Sequence, residues 1–134
     1  YAFYALIALF HDLLIVFGIF SWLGIILSVE VNSLFAVSLL TIAGYSVNDT
    51  VVIFDRIREN LKSSNEEYNE TIQLSINESF RRTTFTSITT LIPLLSLILF
   101  GSYSLFWFSL SLSLGIIIGS YSSILLAPSF LLED

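Results

Sequence analysis

Two places in this sequence put ionisable side chains inside long apolar runs: the adjacent pair His11 and Asp12, and the carboxylate Asp49. Asp49 stands five residues before Phe54, where its apolar run ends, which is about 7.5 Å along a helix. In a bilayer a charged carboxylate at such depth costs roughly 2.5–3.5 kcal/mol on insertion scales. Groups kept at that cost face the protein interior and mark a pathway, a relay or an ion pair. The chemistry open to a lone carboxylate is to gain and lose a proton. Arg82 is its natural partner, because a short connection makes the flanking helices neighbours and a long arginine extends its head group along a helix while burying its stem. Contact with Arg82 would hold Asp49 ionised, and loss of contact would favour its protonation. That is the outline of a proton-driven switch, and a satisfied helix-packing carboxylate is the plainer alternative. Arg81, at the same boundary, reads as a side chain snorkelling to lipid phosphates.

His11 and Asp12 point about 100° apart on a helix, so a pairing between them is not expected. One of them is expected to face the bundle and bond a serine or threonine of another helix. A proton path and a structural hydrogen bond are both open for this pair, as for Asn48 and Thr50, which flank Asp49. Asp55, Arg56, Arg58 and Glu59 read as a solvated helix end with local salt bridges. One histidine and no cysteine give no support to a metal site, and the lack of cysteine excludes disulfides. No nucleophile–base arrangement, phosphate-binding glycine loop or basic nucleic-acid face is present, so neither an enzyme nor a cofactor is expected.

The elements that must position these residues follow from composition. The 134 residues are 55% hydrophobic and 12% charged, with a mean hydropathy of +0.87. A soluble domain of this size has too much surface for its volume to hide so much apolar area. Spanning a bilayer takes roughly 20 apolar residues as helix, and such stretches fall at 1–29, 34–54, 83–100 and 105–132. The sequence therefore predicts an all-α integral membrane protein, one transmembrane domain over 1–134, with a connection over 55–82. All five basic residues lie between Arg56 and Arg82, which predicts that this connection and both termini are cytoplasmic. Trp22 and the Tyr1/Tyr4 pair are placed like interfacial anchors. The first turns of the third helix, with Ile72, Ile76 and Phe80, are expected to lie along the membrane surface, and Pro93 is a candidate kink. Gly115 and Gly119 form a GxxxG pattern before a run of small polar residues, Ser120–Ser123, and predict a close helix–helix contact. The chain begins at Tyr1 with no charged n-region or cleavage site, so its first stretch is expected to be a span and not a signal peptide.

The stretch Gly44–Asn60, GYSVNDTVVIFDRIREN, resembles the signature of the SecF family of the Sec protein-export machinery. Three further blocks fit in order: Ala8–Ile15, Arg81–Ser87 and Gly119–Ser123. The related SecD pattern differs at the equivalent place, with an acidic residue before an alanine–asparagine pair. The resemblance covers essentially the whole chain. It implies a six-helix protein with a large extracytoplasmic domain between its first two helices, of which these spans are helices three to six. They would form half of a resistance–nodulation–division-type bundle, the rest lying on a longer chain or a second one. It implies a membrane subunit that, with SecD, assists SecYEG and the SecA motor late in preprotein export, using the proton-motive force across the inner membrane, with YajC as a further partner. It implies that Asp49 and Arg82 carry the proton coupling; Gly44, the first residue of the signature, is expected to serve helix packing with Gly115 and Gly119. Two other readings are a different proton-coupled transporter of the same superfamily and a passive scaffold subunit of a translocon.

Overall fold

The structure, a computed structural model, describes residues 2–133. Four long helices carry the chain: α1 (Ala2–Leu27), α2 (Ser33–Ser63), α3 (Tyr68–Phe100) and α4 (Tyr103–Tyr121). A π-helical segment, Ser122–Leu126, links α4 to a last short helix, α5 (Ala127–Glu133). There is no strand among the described residues. The helical runs α1, α2, α3 and Tyr103–Leu132 are each long and apolar enough to cross a membrane, and the chain is a multi-pass membrane protein. Tyr1 and Asp134, which the sequence analysis uses as an anchor and as a cytoplasmic end, lie outside the described residues.

The turns have local causes. Ser28 ends α1 in the left-handed region, with φ 55°, a position that glycine or asparagine usually takes. Asn32 caps α2, its side chain accepting the Phe35 N–H at 3.1 Å, which satisfies one of the donors that every helix start leaves open. Gly101 ends α3, and a Cβ there would overlap the Leu97 carbonyl. The 31 residues of α2 and 33 of α3 are about 46 and 50 Å long at 1.5 Å per residue, against about 30 Å of hydrocarbon. Both helices therefore outrun the membrane.

Their surplus forms a hairpin. Ile72, fully buried, packs in one cluster with Ile53, Phe54 and Ile57 of α2, and Asn60 donates to Ser75 at 2.9 Å and to Glu78 at 3.0 Å. This corrects the expectation that the first turns of α3 lie along the membrane surface: Ile72 and Ile76 pack on α2 while Phe80 stays exposed, and α3 runs as one helix through Pro93. Tyr4 is also unlike an exposed anchor. It is half-buried and stacks on Phe130 of α5, centroids 5.6 Å apart. Trp22 is well exposed, as an interfacial anchor requires.

In cross-section α2 and α4 form a central pair, with α1 and α3 packed on it from opposite sides. The core is layered along the axis. One apolar cluster joins Val16, Phe20, Phe35, Ile42, Leu94, Leu112 and Ile116. A second joins Ala8, Ile53, Phe54, Ile57, Ile72, Ala127 and Leu131. Between the two, on α1, α2 and α4 alike, the buried positions turn polar: Asp12 on α1, Ser46, Asp49 and Thr50 on α2, and Ser122 and Ser123 after α4.

Candidate functional site

The middle layer is built by one short segment. Three serines at the end of α4 each reach a different helix. Ser120 meets Ser87 of α3, Ser122 donates to Asp12 of α1 at 2.7 Å, and Ser123 meets Thr50 of α2 at 3.0 Å. A regular α-helix would send these side chains out at fixed 100° steps. The π segment beginning at Ser122 changes that step, and such bulges occur mostly as single turns, often at functional sites. Burial of hydroxyls without partners would cost several kcal/mol in hydrocarbon, so mutual satisfaction is what allows the layer to exist.

Close approach of α2 and α4 makes the layer possible. A Cβ on Gly115 would overlap the side chain of Ile42, itself buried. A Cβ on Gly119 would instead meet Ser46 Cβ at 3.6 Å and Asp12 Oδ2 at 3.8 Å, which is ordinary contact. Gly44 is not at this contact: it is exposed, and a Cβ there meets nothing within 4 Å among the described residues. It lies on the side of α2 turned away from α4.

Asp12 is fully buried. Its Oδ2 accepts from Ser46 at 2.6 Å and Ser122 at 2.7 Å. Its Oδ1 lies 3.2 Å from Nδ1 of His11. The adjacent pair thus does meet, contrary to the expectation from its 100° divergence, because the imidazole is long enough to reach back across one residue. As expected, one member faces the bundle and bonds serines of other helices. Ser46 is visible in the sequence as part of a polar patch with Asn48, Asp49 and Thr50, but its role is not, because its partner stands 34 residues away.

Asp49 is also buried, at 6% exposure, on the α3 side of α2. Its Oδ2 is enclosed and has no hydrogen-bond partner. Arg82 is near enough for its charge to act on Asp49, yet no direct ion pair joins them among the described residues. Arg82 instead helps line a cleft of about 360 Å³ with Val52, Asp55, Arg56, Glu59, Glu78 and Ser79. Two of the three carboxylates lining that cleft, Glu59 and Glu78, are engaged by Arg56, and none of the three forms an ion pair with Arg82 among the described residues. One turn from Asp49, Tyr45 bonds Ser87 at 3.0 Å and feels the Asp49 charge. A polar column therefore runs down the α2–α3 seam from Ser120 and Ser87 through Tyr45 and Asp49 to Arg82 and the cleft. Thr50 belongs to the layer, whereas Asn48 is exposed on the outer face of α2.

At the far end of the cleft Arg56 bridges two helices. Its Nε donates to Glu78 at 2.7 Å and its Nη1 to Glu59 at 3.1 Å. The Asn60 amide and the Arg56 guanidinium beside Glu78 hold its carboxyl below the usual glutamate range. Hydrogen bonds to Glu78 and Glu59 raise the Arg56 guanidinium further. Arg81 turns outward over the Phe85 ring, 5.6 Å from its centroid. No group of three or more metal-ligating side chains occurs among the described residues.

A multi-pass helical bundle with a buried hydroxyl layer, two carboxylates enclosed among the described residues and a charged cleft at one end defines an integral membrane protein with a polar interior. Residues 1–133 match the family described as "Protein export membrane protein SecD/SecF, C-terminal", and the chain belongs to that family. It is 59% identical over 132 residues to a protein translocase subunit SecF of Prochlorococcus marinus, covering 98% of this chain and 41% of that relative. It is 48% identical over 130 residues to the subunit of that name from Synechocystis, covering 96% and 41%. The fold is that of the crystal structure of SecDF, a translocon-associated membrane protein, from Thermus thermophilus, with TM-score 0.89 and 40% identity over 97% of this chain and 18% of that one. A structure of SecDF in a super-membrane-facing form is similar at TM-score 0.86. The chain thus spans about two-fifths of the length of the relatives it matches.

Proposed function

We propose that this chain forms the helix-three-to-six part of a SecF-type subunit that assists preprotein export, and that it couples export to the proton-motive force through Asp49. Membership of the family supports the export role. The observation that carries the coupling is the enclosed, unpartnered oxygen of Asp49 beside a cation that acts on it without touching it. A buried acceptor with no donor is costly. Protonation gives that carboxyl a donor and removes the cost of a buried charge. Ionisation becomes favourable when Arg82 swings in. The two arrangements are the two states that a proton-driven cycle needs, and the cleft is the route by which Arg82 can leave and return.

On this reading SecD and the N-terminal part supply the second half of the bundle, and the complex works with SecYEG, SecA and YajC on emerging preproteins. The basic connection 55–82 lies in the cytoplasm of a cell whose inner membrane holds the protein. The test is preprotein translocation into membrane vesicles, with and without an imposed proton gradient. Asp49→Asn keeps shape and hydrogen bonding but cannot exchange a proton, so the gradient's stimulation is expected to vanish while insertion and assembly persist. A full response to the gradient in Asp49→Asn would make Asp49 a packing residue and leave the scaffold reading standing.

A further inference from the structure

The polar layer holds a second place where a proton can bind, on the opposite side of the α2–α4 pair from Asp49. We infer that His11 and Asp12 form a dyad that binds and releases one proton within the membrane, the exchange taking place at His11 and the buried Asp12 orienting it. The inference rests on the proton-coupling reading of this bundle for its purpose, though not for its chemistry.

The donors around Asp12 set its state. Two hydroxyls converge on Oδ2 at 2.6 and 2.7 Å, within or at the edge of the about 2.5–2.7 Å typical of an O–H donating to a carboxylate. A fully buried carboxylate in hydrocarbon also needs a neutralising proton or cation close by. All five lysines and arginines lie between Arg56 and Arg82, far along the bundle, and among the described residues His11 is the one group of ionic capability in contact with Asp12. The proton that neutralises the pair is shared: an imidazolium beside a carboxylate and a neutral imidazole beside a carboxylic acid hold the same number of protons. Loss of one proton leaves the carboxylate bonded to Nδ1–H of a neutral ring, and the net charge of the pair falls from zero to minus one.

Only one member can exchange that proton with its surroundings. The Asp12 side chain is 0% exposed, and that of His11 is 37% exposed. With Nδ1 directed at Asp12, Nε2 is the ring atom left to donate or accept, and no described side chain meets it. The groups facing the dyad from packed elements are the Ser46 hydroxyl of α2 and the Ser122 hydroxyl of the π segment. Asp49 is the nearest other titratable residue of the layer in sequence terms, three positions from Ser46, and it faces α3. Tyr4, two turns earlier on α1, stacks on Phe130 of α5. Ser122 bonds Asp12 and the adjacent Ser123 bonds Thr50, next to Asp49. A change in the charge of Asp12 is therefore felt at the segment that also holds the Asp49 side of the layer.

The experiment is pH-difference infrared spectroscopy of the intact protein reconstituted in lipid, over roughly pH 5 to 9, the range in which histidines titrate. An imidazole protonation band that is absent from His11→Gln is expected. In Asp12→Asn, which keeps an acceptor for both serines and removes the counter-charge, that transition is expected to be displaced. His11 is partly exposed, so His11→Gln tests the dyad even if Asp12→Asn does not assemble. A spectrum unchanged by His11→Gln overturns the inference, as does a transition that is the same in Asp12→Asn and the parent. Because this readout does not use export, it stands apart from the fate of Asp49→Asn: a gradient response that survives Asp49→Asn removes the proposed function, while the infrared band still decides the dyad.

Discussion

Two carboxylates are buried in this bundle, and their surroundings assign them different work. Asp12 has donors on both oxygens; Asp49 has one enclosed oxygen with none and a guanidinium within electrostatic reach but out of contact. A satisfied carboxylate is held in one geometry, whereas a carboxylate with an unpartnered oxygen has a contact still to make. Arg82 is therefore the residue whose replacement should separate charge from geometry. Arg82→Ala leaves Asp49 without a cation, which favours its neutral form, and is expected to abolish gradient-stimulated translocation about as fully as Asp49→Asn. Arg82→Lys keeps the charge and loses the planar fork, so part of the stimulation is expected to return. Equal loss in both variants would mean that the guanidinium's shape, and not its charge, is what Asp49 needs. The cleft residue Glu78 gives a prediction of another kind. Its carboxyl is held below the usual glutamate range by Asn60 and Arg56, so its contribution to the α2–α3 hairpin is present above the ordinary glutamate value of about 4.5 and is lost as pH falls through the lower folded value. Protection of the hairpin amides, corrected for the pH dependence of intrinsic exchange, is expected to be flat from neutral pH down to about pH 5 and to fall below about 4.5. Glu78→Gln is expected to flatten that acid step. An acid step of the same size in Glu78→Gln would assign it to another carboxylate.

At the scale of elements, the α2–α4 contact decides whether the layer can form. Gly115 and Gly119 belong to one GxxxG pattern, yet the space around them differs. Gly115→Ala drives a methyl into Ile42, and overpacking of this kind costs typically 1–3 kcal/mol, as an order of magnitude. Gly119→Ala places its methyl in ordinary contact and should cost less. Thermal unfolding in detergent is expected to show a clear loss for Gly115→Ala, a smaller one for Gly119→Ala, and partial recovery when Ile42→Ala is added to Gly115→Ala. Equal losses for the two glycines would show that the pattern, and not the local space, sets the cost. The same contrast shows how much was legible in the sequence. The four spans, the GxxxG contact and the placing of Asp49 inside an apolar run could be read, because they depend on composition, on period and on the cost of charge in lipid. The pairing of Asp12 with Ser46 and Ser122 could not, because those partners stand 34 and 110 residues away and serine is ordinary in such helices. Nor could the π segment, since nothing in Ser122–Leu126 breaks the helical period. The cleft that Arg82 lines with Asp55, Glu59 and Glu78 exists only because the hairpin brings α2 and α3 side by side, so its place there was not legible either.

For the whole molecule, the arrangement leaves one broad side uncovered in an informative way. α1 and α3 flank the α2–α4 pair, while Thr41, Gly44 and Asn48 recur at intervals of three and four residues along α2 on a face with no neighbour in this chain. Small and polar groups at membrane depth are poor company for lipid tails, and a second bundle half set against this face would cover them, as the proposed assembly with SecD requires. The orientation of that assembly rests on charge. α2 and α3 outrun the hydrocarbon by about 15–20 Å, and the surplus carries all five basic residues, so the hairpin is expected to project into the cytoplasm. The short turns at Ser28–Asn32 and around Ser102 would then face the other side. A cysteine introduced at Asn65, in the turn between α2 and α3, is expected to react with a membrane-impermeant maleimide only after the inner face is opened, whereas one at Ser102 should react in intact cells. The sequence has no native cysteine, so within this chain each signal has a single source. Labelling of Asn65→Cys in intact cells would reverse the orientation, and with it the side from which the cleft, Arg82 and Asp49 receive their proton.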